Sequence, residues 1–174
     1  MKHRITLALL TVLCAGSVFA LYDPKPDEAL SAVQGAWKGS LTYRDYGKPD
    51  RLVTLPTRLF VALSAPNELV FHYVFDDGPS KTVFSYEKMN FDFANNQLSW
   101  TSGSSEKSLS IFHITSNTSE GGARRLTFEG RSGATTDRYT LVLSPRELGL
   151  AKDEVSATGA PLFRNKYEFS RSGT

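Results

Sequence analysis

The chain has 174 residues, 20 Lys+Arg against 18 Asp+Glu, 40% hydrophobic residues and one cysteine. This balance excludes a strongly basic nucleic-acid-binding protein, and a lone thiol excludes an internal disulfide, so stability must come from packing. A chain of this length can bury roughly 70% of its unfolded surface in one domain.

The opening MKHRITLALLTVLCAGSVFA places Lys2, His3 and Arg4 before an apolar run from Ile5 to Leu13. Val18-Phe19-Ala20 then offers a small-residue cleavage site, the layout of a secretory signal peptide cut after Ala20. The run falls short of the ~20 apolar residues that a membrane anchor needs. Residues 21–174 are thus expected to form one exported domain, periplasmic or secreted. It has 18 basic and 18 acidic residues and no cysteine, because Cys14 leaves with the leader. No further segment is apolar enough to span a bilayer as a helix, and a formally neutral domain has no global attraction for nucleic acid.

The mature chain begins with a Pro-containing tail, after which Asp27 is placed to cap a short helical turn through Leu30 and Val33. From Gly35 onward the pattern changes to short alternating segments parted by turn residues, the signature of an all-β domain. Trp37, Gly39, Leu41 and Tyr43 share one face of the first strand. RLVTL and TRLFVALS follow, with Pro56 between them predicting an edge, bend or bulge. ELVFHYVF sets Leu69, Phe71, Tyr73 and Phe75 on one face, and Asp76-Asp77-Gly78-Pro79 reads as a turn. TVFSYEKM aligns Phe84 and Tyr86. FDFANNQLSWTS reads as a hairpin with Asn95-Asn96 at its tip and Leu98 and Trp100 returning inward.

SLSIFHITS, RLTFEG and TTDRYTLVLS continue the series. The last two contribute Leu126, Phe128, Tyr139, Leu141 and Leu143 to the expected core. Residues 146–161 are less regular, and LFRNKYEFSR closes the chain with Phe163, Tyr167, Phe169 and Arg171 in phase. The spacing gives about nine or ten strands. An antiparallel meander of that length removes its exposed edges by closing on itself. The expected fold is therefore an antiparallel up-and-down β-barrel of about 8–10 strands with a short N-terminal helical turn.

Gly35-Ala36-Trp37, at the start of the first strand and just after a helical turn, resembles the G-x-W motif of the calycin superfamily, which includes lipocalins and fatty-acid-binding proteins. Thr136-Asp137-Arg138-Tyr139 is similar to the lipocalin T-D-Y motif, with Tyr displaced by one place. The resemblance implies that Trp37 plugs the closed end of the barrel. It also implies that a basic side chain of the last strand, Arg171 or Arg164, packs across the ring, with Gly35 and Arg171 assigned beside Trp37 as barrel-closing residues. The chain lacks both the usual lipocalin disulfide and the long helix before the last strand.

Little in the sequence signals catalysis. His72 alternates with Phe71 and Tyr73 and reads as an exposed strand position. His113 shares a face with Leu109 and Ile111, so an inward orientation would make it a hydrogen-bonding group, a metal ligand or an axial haem ligand. No Cys/His cluster or H-E-x-x-H spacing points to zinc, and Gly130-Arg131-Ser132-Gly133 lacks the spacing of a nucleophile elbow. The pairs Glu87/Asp92 and Asp45/Asp50 have the chemistry for acid–base work, but no feature of the sequence places them in a pocket.

The remaining constellation is aromatic. Tyr43, Phe71, Tyr73, Tyr86, Trp100, Phe128 and Tyr139, with His113, are the candidate ligand-binding residues: apolar walls bearing a few hydroxyl, indole or imidazole groups. Phe84 and Tyr167 fall on the same expected inward face. The leading expectation is a non-enzymatic binding protein, without cofactor, for a small apolar or amphipathic molecule such as an acyl chain or lipid. A filled barrel acting as a structural or interaction module of the envelope is the alternative, and a haem protein or enzyme using His113 is a third. The sequence identifies no protein partner.

Overall fold

The computed structural model describes residues 25–103 and 108–172. The leader and its expected cut after Ala20 lie outside the described residues. The elements in order are α1 (Glu28–Ala32), β1 (Gly35–Arg44), β2 (Leu52–Ala65), β3 (Glu68–Asp76), β4 (Thr82–Asp92), β5 (Gln97–Ser102), β6 (Leu109–Glu120), β7 (Ala123–Ser132), β8 (Thr135–Leu143), β9 (Glu147–Val155) and β10 (Pro161–Arg171). Each strand pairs antiparallel with its sequence neighbours, and β1 pairs with β10, so the ten strands form a closed up-and-down barrel.

Local chemistry accounts for the punctuation. Asp27 caps α1 by accepting from the backbone N–H groups of Ala29 at 3.0 Å and Leu30 at 3.2 Å. Asn96 takes a positive φ of 51° in the β4–β5 turn, which Asn tolerates better than most side chains. Asp92 holds the same turn by accepting from Asn95 N at 3.1 Å. Pro56 does not break its strand. It lies opposite Ser40 of β1, while β3 pairs with β2 only from Thr57 onward, so a residue lacking an N–H is tolerated on that unpaired edge.

Register explains the inward faces better than local apolar content does. Leu69, Phe71, Tyr73 and Phe75 of β3 are buried, and they lie opposite Met89, Glu87, Ser85 and Val83 of β4. Because side chains alternate with a period of two, Phe84 and Tyr86 must then point outward, against the sequence expectation; they are 65% and 43% exposed. The same reversal occurs in β6. Phe112 lies opposite buried Leu98, so Phe112 and Ile114 face in, whereas Leu109, Ile111 and His113 face solvent. Residues 147–155, irregular by sequence, form β9 with Leu148 and Leu150 buried. A bulge near Arg164 takes Phe163 out of phase with Tyr167: Phe163 lies opposite Asp153, and Asn165 opposite Lys152.

Candidate functional site

The interior has two unlike halves. The half under α1 is apolar and filled by Leu30, Val33, Trp37, Leu59, Leu69, Met89, Phe91, Leu98, Leu126 and Leu141, all essentially inaccessible. Trp37 donates its indole N–H to the Val33 carbonyl at 2.9 Å. Arg171 stands over its ring with the guanidinium carbon 4.2 Å from the centroid. The same guanidinium donates to the carbonyls of Ala32, Gln34 and Pro145, capping the C-terminal end of α1. Gly35 makes room for it: φ is 114°, and a Cβ there would sit 2.9 Å from an Arg171 nitrogen. Arg164 is elsewhere, ion-paired to Glu154 at 3.3 Å.

The opposite half is aromatic and polar. Tyr73 packs on Tyr167 with ring centroids 5.0 Å apart. Tyr139 is surrounded by Trp100 at 5.1 Å, Phe112 at 5.2 Å and Phe128 at 5.1 Å. A recess of about 200 Å³ opens between Trp100, Ser102, Ser108, Ser110, Phe112 and Tyr139. Larger hollows also occur, such as one of about 560 Å³ bordered by Lys38, Arg58, Val74 and the 78–82 turn. Lys38, Arg58 and Val74 face outward in the register, while Gly39, Thr57 and Phe75 of the same hollow lie on the inward phase, so it runs along the wall between β1, β2 and β3 rather than within the aromatic half.

Besides the Arg164–Glu154 pair, whose Glu154 lies opposite Asp137, charged groups enter this half at Lys152 with Asp137 and at Glu87. Lys152 lies opposite Tyr139 and Asn165, and its ammonium donates to Asp137 at 2.7 Å while standing 5.5 Å from the Tyr139 centroid. Burial by itself lowers the Lys152 pKa, but the hydrogen bond that its ammonium donates to Asp137 and the nearby Tyr139 more than offset it, and the ammonium is stabilised overall. Glu87 lies between Phe71 and Ser102 in the register and so shares the inward face. Burial raises its carboxyl from the usual range to about 7, with the Trp100 indole N–H pulling the other way. That N–H does not reach hydrogen-bond geometry: Trp100 Nε1 is buried without a partner. The Glu87 charge reaches Tyr73, Tyr139 and Tyr167, whose hydroxyls burial already raises above the usual tyrosine value.

The structure brings Trp100, Phe128 and Tyr139 into mutual contact, while Tyr73 packs on Phe71, Phe75, Tyr167 and Phe169. Tyr43 sits on the inward phase of β1 opposite Asn165, and Phe71 lies deeper beside Glu87. Tyr86 and His113 do not belong to this half. Both point outward, and an internal haem or metal held by His113 is contradicted by that orientation. His72 is exposed as well, so among the described residues no histidine faces the interior. Asp45 accepts from Gly47 N at 2.8 Å and pairs with Arg51, a turn role like that of Asp92. Sequence reasoning missed Glu87, Asp137, Lys152 and Asn165 as interior groups. The buried row of β3 and the alternation Leu148, Leu150, Lys152 were the available signals.

The sequence matches no protein-family model and no curated protein. Its fold, however, has solved counterparts. Rv2717c from M. tuberculosis has a TM-score of 0.59 at 10% identity, over 86% of this chain and 100% of that one. The S-type phycobiliprotein lyase CPES from Guillardia theta has a TM-score of 0.56 at 6% identity, over 83% of this chain and 91% of that one. The likeness at these identities is one of fold, and the class it defines is the closed ten-stranded antiparallel β-barrel.

Proposed function

We propose that this is an exported, non-enzymatic binding protein that holds a small amphipathic molecule in the polar half of its barrel. The observation that carries this reading is the asymmetry of the interior. The end under α1 is packed with buried apolar side chains, while the other half opens a recess between Trp100, Phe112, Tyr139 and three serines and carries Glu87, Asp137 and Lys152 on the same inward face. Filling a barrel for stability alone requires no such groups, since polar atoms are costly inside unless partnered. A ligand that displaces water and supplies those partners gives them a purpose. A barrel fold shared with a phycobiliprotein lyase is compatible with binding of a small molecule. Among the described residues no histidine faces the interior to activate a serine, which favours binding over hydrolysis.

A second reading has its own support. The recess, about 200 Å³, is below the ~300–1,000 Å³ usual for ligand pockets. The outer wall also exposes Phe60, Phe84, Tyr86, Leu109 and Ile111. On that reading the barrel is a filled interaction module.

Native mass spectrometry of residues 21–174, purified gently from an exporting host, separates the two. A reproducible adduct released on denaturation is the expected result. A bare polypeptide that also takes up no amphiphile would favour the interaction module.

A further inference from the structure

Resting on the binding reading above, we infer that the ligand of the polar half carries an organic cation, such as a protonated amine or quaternary ammonium, seated against Glu87 and the surrounding aromatic rings. Charge accounting at this end of the barrel supplies the first argument. Lys152 is committed to Asp137, and Arg164 to Glu154. Glu87 is the inward-facing carboxyl left without an ion-pair partner among the described residues. An anionic amphiphile, including a fatty acid, would meet Glu87 with no free inward-facing cation among the described residues to neutralise it. A cationic one would complete the balance.

The walls supply the second argument. Trp100, Tyr139, Tyr73 and Tyr167 all lie within electrostatic range of this inward-facing carboxyl, and the negative faces of aromatic rings attract ammonium groups. Trp100 gives a third. Its indole N–H is a buried donor without an acceptor. An ionised carboxylate has lone pairs for both the Trp100 N–H and a ligand cation, so a cation that holds Glu87 ionised also favours pairing of that orphan donor. Burial alone works against the ionised form, and a bound cation relieves that penalty.

The test uses the mature protein and three probes of equal chain length: octyltrimethylammonium, octanoate and octanol, titrated by calorimetry below their aggregation limits. The expected result is binding of the ammonium at least about tenfold tighter than octanoate, with octanol between them. Glu87→Gln should bring the ammonium-to-octanol ratio close to one. Octanoate binding as well as the ammonium, or a ratio insensitive to Glu87→Gln, would overturn the inference while leaving a binding barrel intact. Failure of all three probes, together with a bare native mass, would overturn both. The comparison among probes on the unaltered protein stands even if the variant folds poorly.

Discussion

Single residues set the chemistry of this barrel, and Glu87 does so most directly. Its carboxyl is raised to about 7 by burial, so the folded state holds a proton that the unfolded chain has released. Below the ordinary glutamate range both states are protonated and the residue has no effect. Stability then falls as pH rises from about 4.5 toward 7, and the deficit persists above that, because the folded state binds more protons across the window. Two and more pH units correspond to about 2–3 kcal/mol, with partial solvent access acting to reduce it. Urea unfolding of the mature protein at pH 5 and pH 8 should therefore show a loss at the higher pH. Glu87→Gln should flatten the difference. Equal slopes for the two proteins would place the carboxyl in solvent.

Among the elements, α1 depends most on its surroundings. Five residues are too few for a helix to persist alone, so its order comes from the barrel. Arg124 pairs with the capping Asp27, Trp37 holds Val33, and Arg171 holds the last carbonyls. Arg171→Met should remove a cation–π contact and several charge-assisted hydrogen bonds, at a combined cost of about 2–4 kcal/mol in denaturant midpoint. Arg171→Lys should recover only a minor part, since one ammonium cannot span three carbonyls in the guanidinium's fork geometry. A loss below about 1 kcal/mol for the methionine variant would mean that packing alone retains the plug.

The molecule as a whole depends on the seam between β1 and β10, among the described residues the one strand pairing that joins distant parts of the chain. Gly39 lies there opposite Phe169. A Cβ at this position would fall 1.8 Å from the Glu168 carbonyl oxygen and 2.7 Å from the Phe169 ring, too close for either to give way cheaply. Gly39→Ala should therefore lower stability by about 3 kcal/mol. It should also speed hydrogen exchange first in β1 and β10. Uniform acceleration around the barrel would show that the seam is no weaker than the other pairings.

The sequence by itself determined an antiparallel meander long enough to close, the plug at Trp37, and the inward rows in β1, β3, β7 and β8, where one face is plainly more apolar than the other. It also placed Arg171 in phase with Tyr167 and Phe169. It did not determine the inward faces of β4 and β6. In those strands both faces carry large apolar residues, so Phe84, Tyr86, Leu109 and Ile111 compete locally with Met89, Phe91, Phe112 and Ile114. Only pairing with the buried rows of neighbouring strands decides between them, because a shift of one residue would turn every side chain over. That decision sends His113 out to solvent and brings Glu87 in beside Trp100. The polar half's charge therefore belongs to tertiary register: no local property of TVFSYEKM marks its glutamate as the residue that enters the barrel.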